Sequence, residues 1–578
     1  MNRKWNVFER NILILISITV IVLGLKNSIG SIEHQEKIIN NLRFIDEIDG
    51  KELSFSTWEA SEEKMYYLVL PSMYSEHDFN VKIQYEDDFY TVHIDGKKYQ
   101  SGEVWTDYLK EDVHQLELVN LIGEVHLKKP FQLLISDNIP AIFVTVEAKD
   151  MVYYTKDYAN KQYAEIGDIV MVDEDGKIVL DDTMERFKVR GNLTSELKKK
   201  PFTFTLSSSA SLCGMTESKN WHLLANATDG SHIRNKIMLD WADEILDTYN
   251  PDGEFVDLYI NGEYQGLYFL TETIEINENR LRMNPDSGLL LEMDLYYRAP
   301  EETNYLVTQK EHYWVVHSDA PMLKEELENV ETYLNDIESA LYSSEGVSEI
   351  SGKKIEELLD LDSWTDTWLL KEISADHDLG NTSQFAIVEN WENRNILKAG
   401  PEWDFDLTLG NAMCPWSANP RNLVAAIPNT RGIKSVSQNK WLSQMYQHDI
   451  FKDMLIQKFQ QEIQPKIKRL LDYEIDSYAE EIRRAALLDS LRWNGNGIRE
   501  CMAYPGNFKW GTEKDYRKYD VLEYHVEMIK DFLKEKELFL HELWNEGVEF
   551  DVIVQEFNGE GMNLELNNNI YTWIKREE

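Results

Sequence analysis

Lys398-Ala399-Gly400-Pro401-Glu402-Trp403-Asp404-Phe405-Asp406-Leu407-Thr408-Leu409-Gly410-Asn411 sets two carboxylates, Asp404 and Asp406, among Trp403, Phe405 and Leu407. Acids in such company are costly to bury unless they meet something positive. Upstream, Asp376-His377-Asp378 and then Ser383 fall in the loop between a helical stretch and the short apolar strand Phe385-Ala386-Ile387-Val388. Two acidic clusters around a strand-containing hairpin offer the hard oxygen donors of an Mg²⁺ site for phosphate chemistry. A pair of capped turns or surface ion pairs would leave the same pattern.

The pattern around this core is mixed. Residues 322–343 and 355–375 are long amphipathic stretches, and 441–545 reads as helix with Glu/Lys spacing on solvated faces. Residues 548–575 read as a small β-appendage. Before 322 the periodicity is that of strands, at 141–146, 168–172, 185–190 and 202–206. One helix interrupts them at 231–248, where Ile233, Ile237, Trp241 and Ile245 recur at four-residue steps. Asn261-Gly262 between 254–260 and 267–271 is a hairpin signal. This predicts an α+β fold, strand-rich first and helical towards the C-terminus. Residues 53–135 add a separate block of strands, read as an antiparallel β-sandwich behind a short helical stalk at 31–49.

A third polar cluster lies in the strand-rich part. Arg190-Gly191-Asn192-Leu193-Thr194 is followed by Lys198-Lys199-Lys200-Pro201-Phe202. A strand, a glycine turn and a lysine entering the next strand suit a hairpin that covers phosphates. Side chains alternate along a strand, so only one of Lys199 and Lys200 can face the ligand. Lys200, in phase with Phe202 and Phe204, is the favoured one. Solvated surface lysines are the structural alternative.

Composition bounds the rest. The 578 residues are 43% hydrophobic and 11% aromatic, ample for large cores, so wholesale disorder is excluded. A net charge of −44 repels a phosphate backbone, so no nucleic acid is expected as a partner. The three cysteines, Cys213, Cys414 and Cys501, make no disulfide framework and no zinc spacing. The P-loop, GxGxxG, HExxH and GxSxG motifs are absent. At the N-terminus, Arg3, Lys4 and Arg10 precede the aliphatic run 12–25. Such a run is about 21 Å of helix, short of the roughly 30 Å hydrocarbon core, a length that suits a short uncleaved signal anchor or a cleaved export signal. The basic flank places the bulk of the chain outside, on a cell membrane crossed once, or else secreted.

These residues together are familiar. Asp378 and Ser383 with the run Lys398–Asn411 resemble the signature of the spore coat protein H (CotH) kinase family. So do Arg190-Gly191-Asn192 with Lys199-Lys200-Pro201-Phe202, and Trp221-His222-Leu223-Leu224-Ala225-Asn226. Two further blocks fit: Asp229-Gly230-Ser231-His232-Ile233-Arg234-Asn235-Lys236, and Asn261-Gly262-Glu263-Tyr264-Gln265-Gly266-Leu267-Tyr268 with Glu272. The resemblance implies an atypical protein-kinase-like, two-lobed domain over 138–546. It would follow an anchor at 1–30 and a stalk and β-rich domain at 31–137, with the appendage at 547–578. It also implies transfer of the γ-phosphate of ATP, with Mg²⁺ or Mn²⁺, to Ser or Thr of secreted, cell-surface or spore-coat proteins.

By the same resemblance Asp378 is the catalytic-loop aspartate and Asp404 the metal-binding one. Ser383 and Asp406 would be further metal ligands. Arg190, Gly191, Asn192, Lys199 or Lys200, and Glu272 would serve the nucleotide. Parts of the family carry Asn where this chain has Ser383, which bears on metal affinity. Two other classes stay open. One is a surface scaffold or adhesion protein with weak or no turnover; the other is a metal-dependent hydrolase using Asp376, His377 and Asp378.

Overall fold

The computed structural model describes residues 32–59, 65–75, 81–87, 89–105, 112–147, 164–191, 193–284, 287–295, 298–318, 320–376, 378–379, 382–393, 396–411, 415–426, 440–493, 521–556 and 569–576. The fold is α+β, with many strands before residue 320 and mostly helices after it. Two compact units divide it: 1–151 with 165–184 and 256–267, and 152–164 with 185–255 and 268–578.

The first unit opens with helix α1 (Ile32–Asn40). The expected stalk stops there, because Arg43–Ile48 (β1) is a strand that Asp49-Gly50 turns back onto Lys51–Phe55 (β2). Phe44, Leu53 and Phe55 are buried, so alternation overrode the helical reading of this segment. Trp58–Glu59 is β3, Tyr66–Leu70 β4 and Lys82–Gln84 β5. Tyr90–Ile94 (β6), Lys97–Tyr99 (β7), Val113–Asn120 (β8) and Val125–Ile135 (β9) follow. They form one sheet in the order β2-β1-β5 and another in the order β3-β4-β9-β8-β6-β7.

The second sheet is not wholly antiparallel as expected, since β4 and β9 pair parallel with Tyr66 opposite Phe131. The long connection through β5–β8 allows the crossover that parallel pairing requires. Ala141–Val146 (β10) pairs antiparallel with Glu165–Val172 (β11), and its Ala141 to Val144 pair parallel with Asp257 to Ile260. Beyond Ile260, Asn261 (φ 51°) and Gly262 (φ 83°) form the left-handed turn of the predicted hairpin. The Asn261 side chain also accepts the Val146 N–H at 2.9 Å.

The second unit holds the candidate site. Ile178–Val189 is β12 and enters this unit at Glu185. Phe202–Ala210 (β13) and Ser218–Leu224 (β14) are antiparallel, and β14 pairs with the end of Glu263–Glu272 (β16); Gly253–Ile260 is β15. Between β14 and β15 lies α2 (Arg234–Ile245). Leu289–Asp294 (β17), Tyr305–Val307 (β18), Tyr313–His317 (β19), Gln384–Val388 (β20) and Lys398–Ala399 (β21) make a sheet in the order β18-β19-β17-β20-β21.

Lys324–Leu341 (α3) and Leu361–Ser374 (α4) precede β20. Every residue of α4 from Ser363 to Ser374 is buried, which marks it as the central helix. A long helical run covers 449–481. It widens to π geometry at Phe459–Ile463, where Pro465 denies the regular ladder an N–H. Arg483–Trp493 (α5) and Val521–Trp544 (α6) follow, then the hairpin Phe550–Glu556 (β22) and Asn569–Lys575 (β23). Among the described residues no helix is long and apolar enough to cross a membrane. The apolar run 12–25 lies outside them.

Candidate active site

The β20–β21 pairing builds the centre of the site. Ala386 lies opposite Ala399, so the start of β20 and the end of β21 share one edge. Ser383 just before β20 and Asp404 just beyond β21 therefore meet, with the Ser383 hydroxyl 3.3 Å from Asp404 Oδ2. Both residues have left-handed backbones, φ 55° and φ 69°. Each such conformation costs on the order of 1–3 kcal/mol and persists only where its surroundings over-determine it.

Those surroundings come from residues 226–236. Asn235 Oδ1 accepts the Phe405 N–H at 2.9 Å, and Asn226 Oδ1 holds the Asn235 amide at 3.1 Å. Arg234 is fully buried and ion-paired with Asp229. Its guanidinium donates to the carbonyls of Thr408 at 2.9 Å and Leu409 at 3.3 Å. Asn411 donates to the carbonyls of Asp406 and Thr228, and the Thr228 hydroxyl donates to the Asp406 carboxylate.

The second acid arrives from α4. The helix ends on Ala375 in the left-handed conformation (φ 49°), which turns the chain into the Asp376–Asp378 loop. Asp376 is buried. Its Oδ1 accepts the Asp378 N–H at 2.8 Å, and its Oδ2 lies 2.7 Å from Lys371 Nζ. Both oxygens are thus engaged within the fold; His377 lies outside the described residues. Asp378 itself is half-buried.

Electrostatics join the two loops. Burial, then the neighbouring Asp378, pushes the Asp404 carboxyl up to about 6, with Arg190 opposing. Burial, then Asp404, pushes Asp406 up to about 8 against the Thr228 hydrogen bond. Arg190 is half-buried, and its guanidinium lies 5.5 Å above the Trp403 ring. Its backbone N–H donates to the Pro201 carbonyl at 3.0 Å, while its side chain makes no hydrogen bond or ion pair among the described residues. Burial foremost, with Arg190 and Arg280 next, holds the His222 imidazole well below its usual range, so it stays neutral beside Trp403.

These shifts have a definite sign. In the fold both carboxyls bind protons more tightly than in the unfolded chain. Their contribution therefore favours the fold at low pH and is lost as pH rises from about 4 to about 8. Asp406→Asn is expected to remove much of that slope. The check is the difference in urea-unfolding free energy between wild type and Asp406→Asn across pH 4–8. Parallel curves would contradict the assignment.

The profile of the family described as CotH kinase protein matches residues 187–540. The chain belongs to that family. No curated protein matches it. One solved structure with a weak similarity is the Bacteroides ovatus mixed-linkage glucan utilization locus SGBP-B in complex with a mixed-linkage heptasaccharide. It has 10% identity over 48% of this chain and 92% of that one. The TM-score is 0.11.

Within this CotH kinase family chain the residues expected to serve the nucleotide hold varied partners. Gly191 (φ 83°) turns the chain after Arg190, and a side chain there would collide with the Thr194 hydroxyl. Asn192 lies outside the described residues. Lys199 is buried, 2.5 Å from Asp489 of α5 and 4.7 Å from the centroid of the Tyr268 ring. Lys200 is buried too and donates to the Ser195 carbonyl at 2.7 Å. Glu272 ties the end of β16 to its neighbours. It accepts from the Thr216 N–H at 2.7 Å, the Tyr249 hydroxyl at 2.7 Å and the Asp252 N–H at 3.3 Å.

An apolar cluster of Leu281, Leu290, Phe385, Ile387 and Trp403 lies alongside, with Tyr249, Ile274 and Met283 against it. Lys371, Thr228 and Glu402 were not singled out from sequence. Lys371 had one signal, a lysine directly after the apolar run Trp368-Leu369-Leu370. Among the described residues no group of three His, Cys, Asp or Glu is placed to hold a metal ion. Mg²⁺ commonly uses only one or two carboxylates when phosphates complete its shell, and the Asp404, Asp406 and Ser383 oxygens fit that smaller set.

Proposed function

We propose that this CotH kinase family protein transfers the γ-phosphate of ATP to Ser or Thr of secreted, cell-surface or spore-coat proteins, through an atypical two-lobed kinase-like domain. The observation that carries this reading is the Ser383–Asp404 contact, with the charge of Asp378 felt at Asp404. Phosphate transfer asks for positioning and charge neutralisation rather than a covalent protein group. Asp404, with Ser383 and Asp406 as further donors, would hold Mg²⁺, which would supply that neutralisation. Asp378 orients the acceptor hydroxyl and takes its proton. Arg190, just before the Gly191 turn and with no side-chain hydrogen bond among the described residues, meets the phosphates. Lys199 and Lys200 already hold other groups. The cluster beside Trp403 offers the adenine an apolar wall.

In this reading residues 12–25 anchor the protein, with its bulk outside. Protease added to intact cells should then remove most of the chain. The second reading, a scaffold with weak turnover, is favoured by Ser383 standing where parts of the family have Asn. Purified protein lacking residues 1–31, given labelled ATP with Mg²⁺ or Mn²⁺ and candidate surface proteins, separates the two. Label in protein supports the kinase. Nucleotide binding with no label in any protein, itself included, supports the scaffold.

A further inference from the structure

Helix α4 delivers one ammonium group to both halves of the candidate site. Lys371 lies in its last turn and is 1% exposed. Nζ is 2.7 Å from Asp376 Oδ2 and 3.2 Å from Glu402 Oε2. It also sits over the Phe405 ring, 4.5 Å from the centroid. Asp376 passes the link on through the Asp378 N–H. Glu402 stands two residues before Asp404 and is itself held, by the Thr367 hydroxyl at 2.6 Å and by the Asn250 side chain, which accepts its N–H at 2.9 Å. A chain of direct contacts therefore runs from Asp378 to the Asp404 segment through a single side chain.

Stability alone is a poor reason for this arrangement. Two carboxylates and one ammonium leave an excess negative charge buried, and apolar side chains of similar volume commonly do as well or better. What such a cluster supplies is a fixed separation between the segments that carry its members. Lysine suits this because its ammonium is a compact point charge with three donors, which can lie between two carboxylates on different segments. Arginine keeps the charge but spreads it over a planar fork of different shape.

We propose that Lys371 is a positioning residue for phosphate transfer, its ammonium setting the Asp378 loop and the Asp404 segment at their working separation. This rests on the kinase reading above. Lys371 touches neither phosphate nor acceptor, so its loss acts on geometry. A displacement of about 1 Å at a reacting group can cost on the order of 10²-fold in rate.

Two variants test it, Lys371→Arg and Glu402→Met. The first keeps the charge. The second keeps the Lys371–Asp376 pair and cuts the arm to Glu402, and it decides the matter alone if Lys371→Arg does not fold. The expected result is a thermal midpoint showing a folded protein, unchanged Mg·ATP affinity by calorimetry, and kcat for labelled-phosphate transfer lowered by about 10- to 100-fold. A folded variant of either kind with wild-type kcat overturns the proposal. So does one in which Mg·ATP affinity and kcat fall together. Wild type that transfers no phosphate overturns the kinase reading and this proposal with it, and that failure is visible in the wild-type reaction before any variant is compared.

Discussion

Phosphate transfer by Asp378→Ala is expected to fall by about 10²–10⁴-fold, the usual cost of losing a general base, while Mg·ATP still binds. Asp404→Ala should lose both. The difference follows from where the two acids stand. Asp404 faces Ser383 across the β20–β21 edge, with Arg190 acting on its charge, and in the proposed reading it serves the metal and the phosphates. Asp378 reaches the same place from the loop after α4, with its backbone N–H held by Asp376. Ser383→Ala should fall between these two in effect, through the metal, and Ser383→Asn should preserve or raise activity. Calorimetric Mg·ATP affinity and radiolabel transfer are measured for each variant. Equal Mg·ATP affinity in wild type and Asp404→Ala would remove the metal assignment.

Arg234→Met is expected to cost about 3–5 kcal/mol of stability, because it strips the partner from a buried carboxylate. Asp229 and Arg234 are both wholly buried and ion-paired. The same guanidinium supports the carbonyls of Thr408 and Leu409, so the variant should also loosen the segment after Asp404. Asp229→Asn with Arg234→Met should recover part of the loss, since it leaves no uncompensated charge. Urea unfolding of the single and double variants checks this. A cost below about 1 kcal/mol, the value of an exposed pair, would mean that water reaches this site.

Much of the architecture was legible in the chain. The alternation in 185–190 and 202–206 appears in β12 and β13, and the four-residue steps of Ile237 and Trp241 lie within α2. Asn261-Gly262 makes the turn its dipeptide predicts. That turn sits with β10 in the first unit, while Tyr268 and Glu272 of the same block lie in the second. At the stalk, Asp49-Gly50 is a hairpin signal of the same kind, and it turns β1 back onto β2.

The acids themselves stand out in sequence, because Asp404 and Asp406 among Trp403, Phe405 and Leu407 break the rule that unpaired charge stays in water. Their neighbours do not stand out. Arg234 and Thr408 are 174 residues apart, Asn235 and Phe405 are 170 apart, and no periodicity links them. A hydrogen bond depends on donor and acceptor meeting within about 3 Å, and only the packing of α2 and α4 around the β20–β21 edge brings these groups so close. Lys371 marks the limit most clearly. By sequence it is one lysine in a helical stretch with an unassigned role. Its two carboxylate partners, one from each loop, exist only once the chain has folded back on itself. The sequence by itself determined the α+β class, the family and the acids that could do chemistry. The tertiary structure decided which cations reach those acids, because burial and proximity, rather than residue type, decide which charges meet.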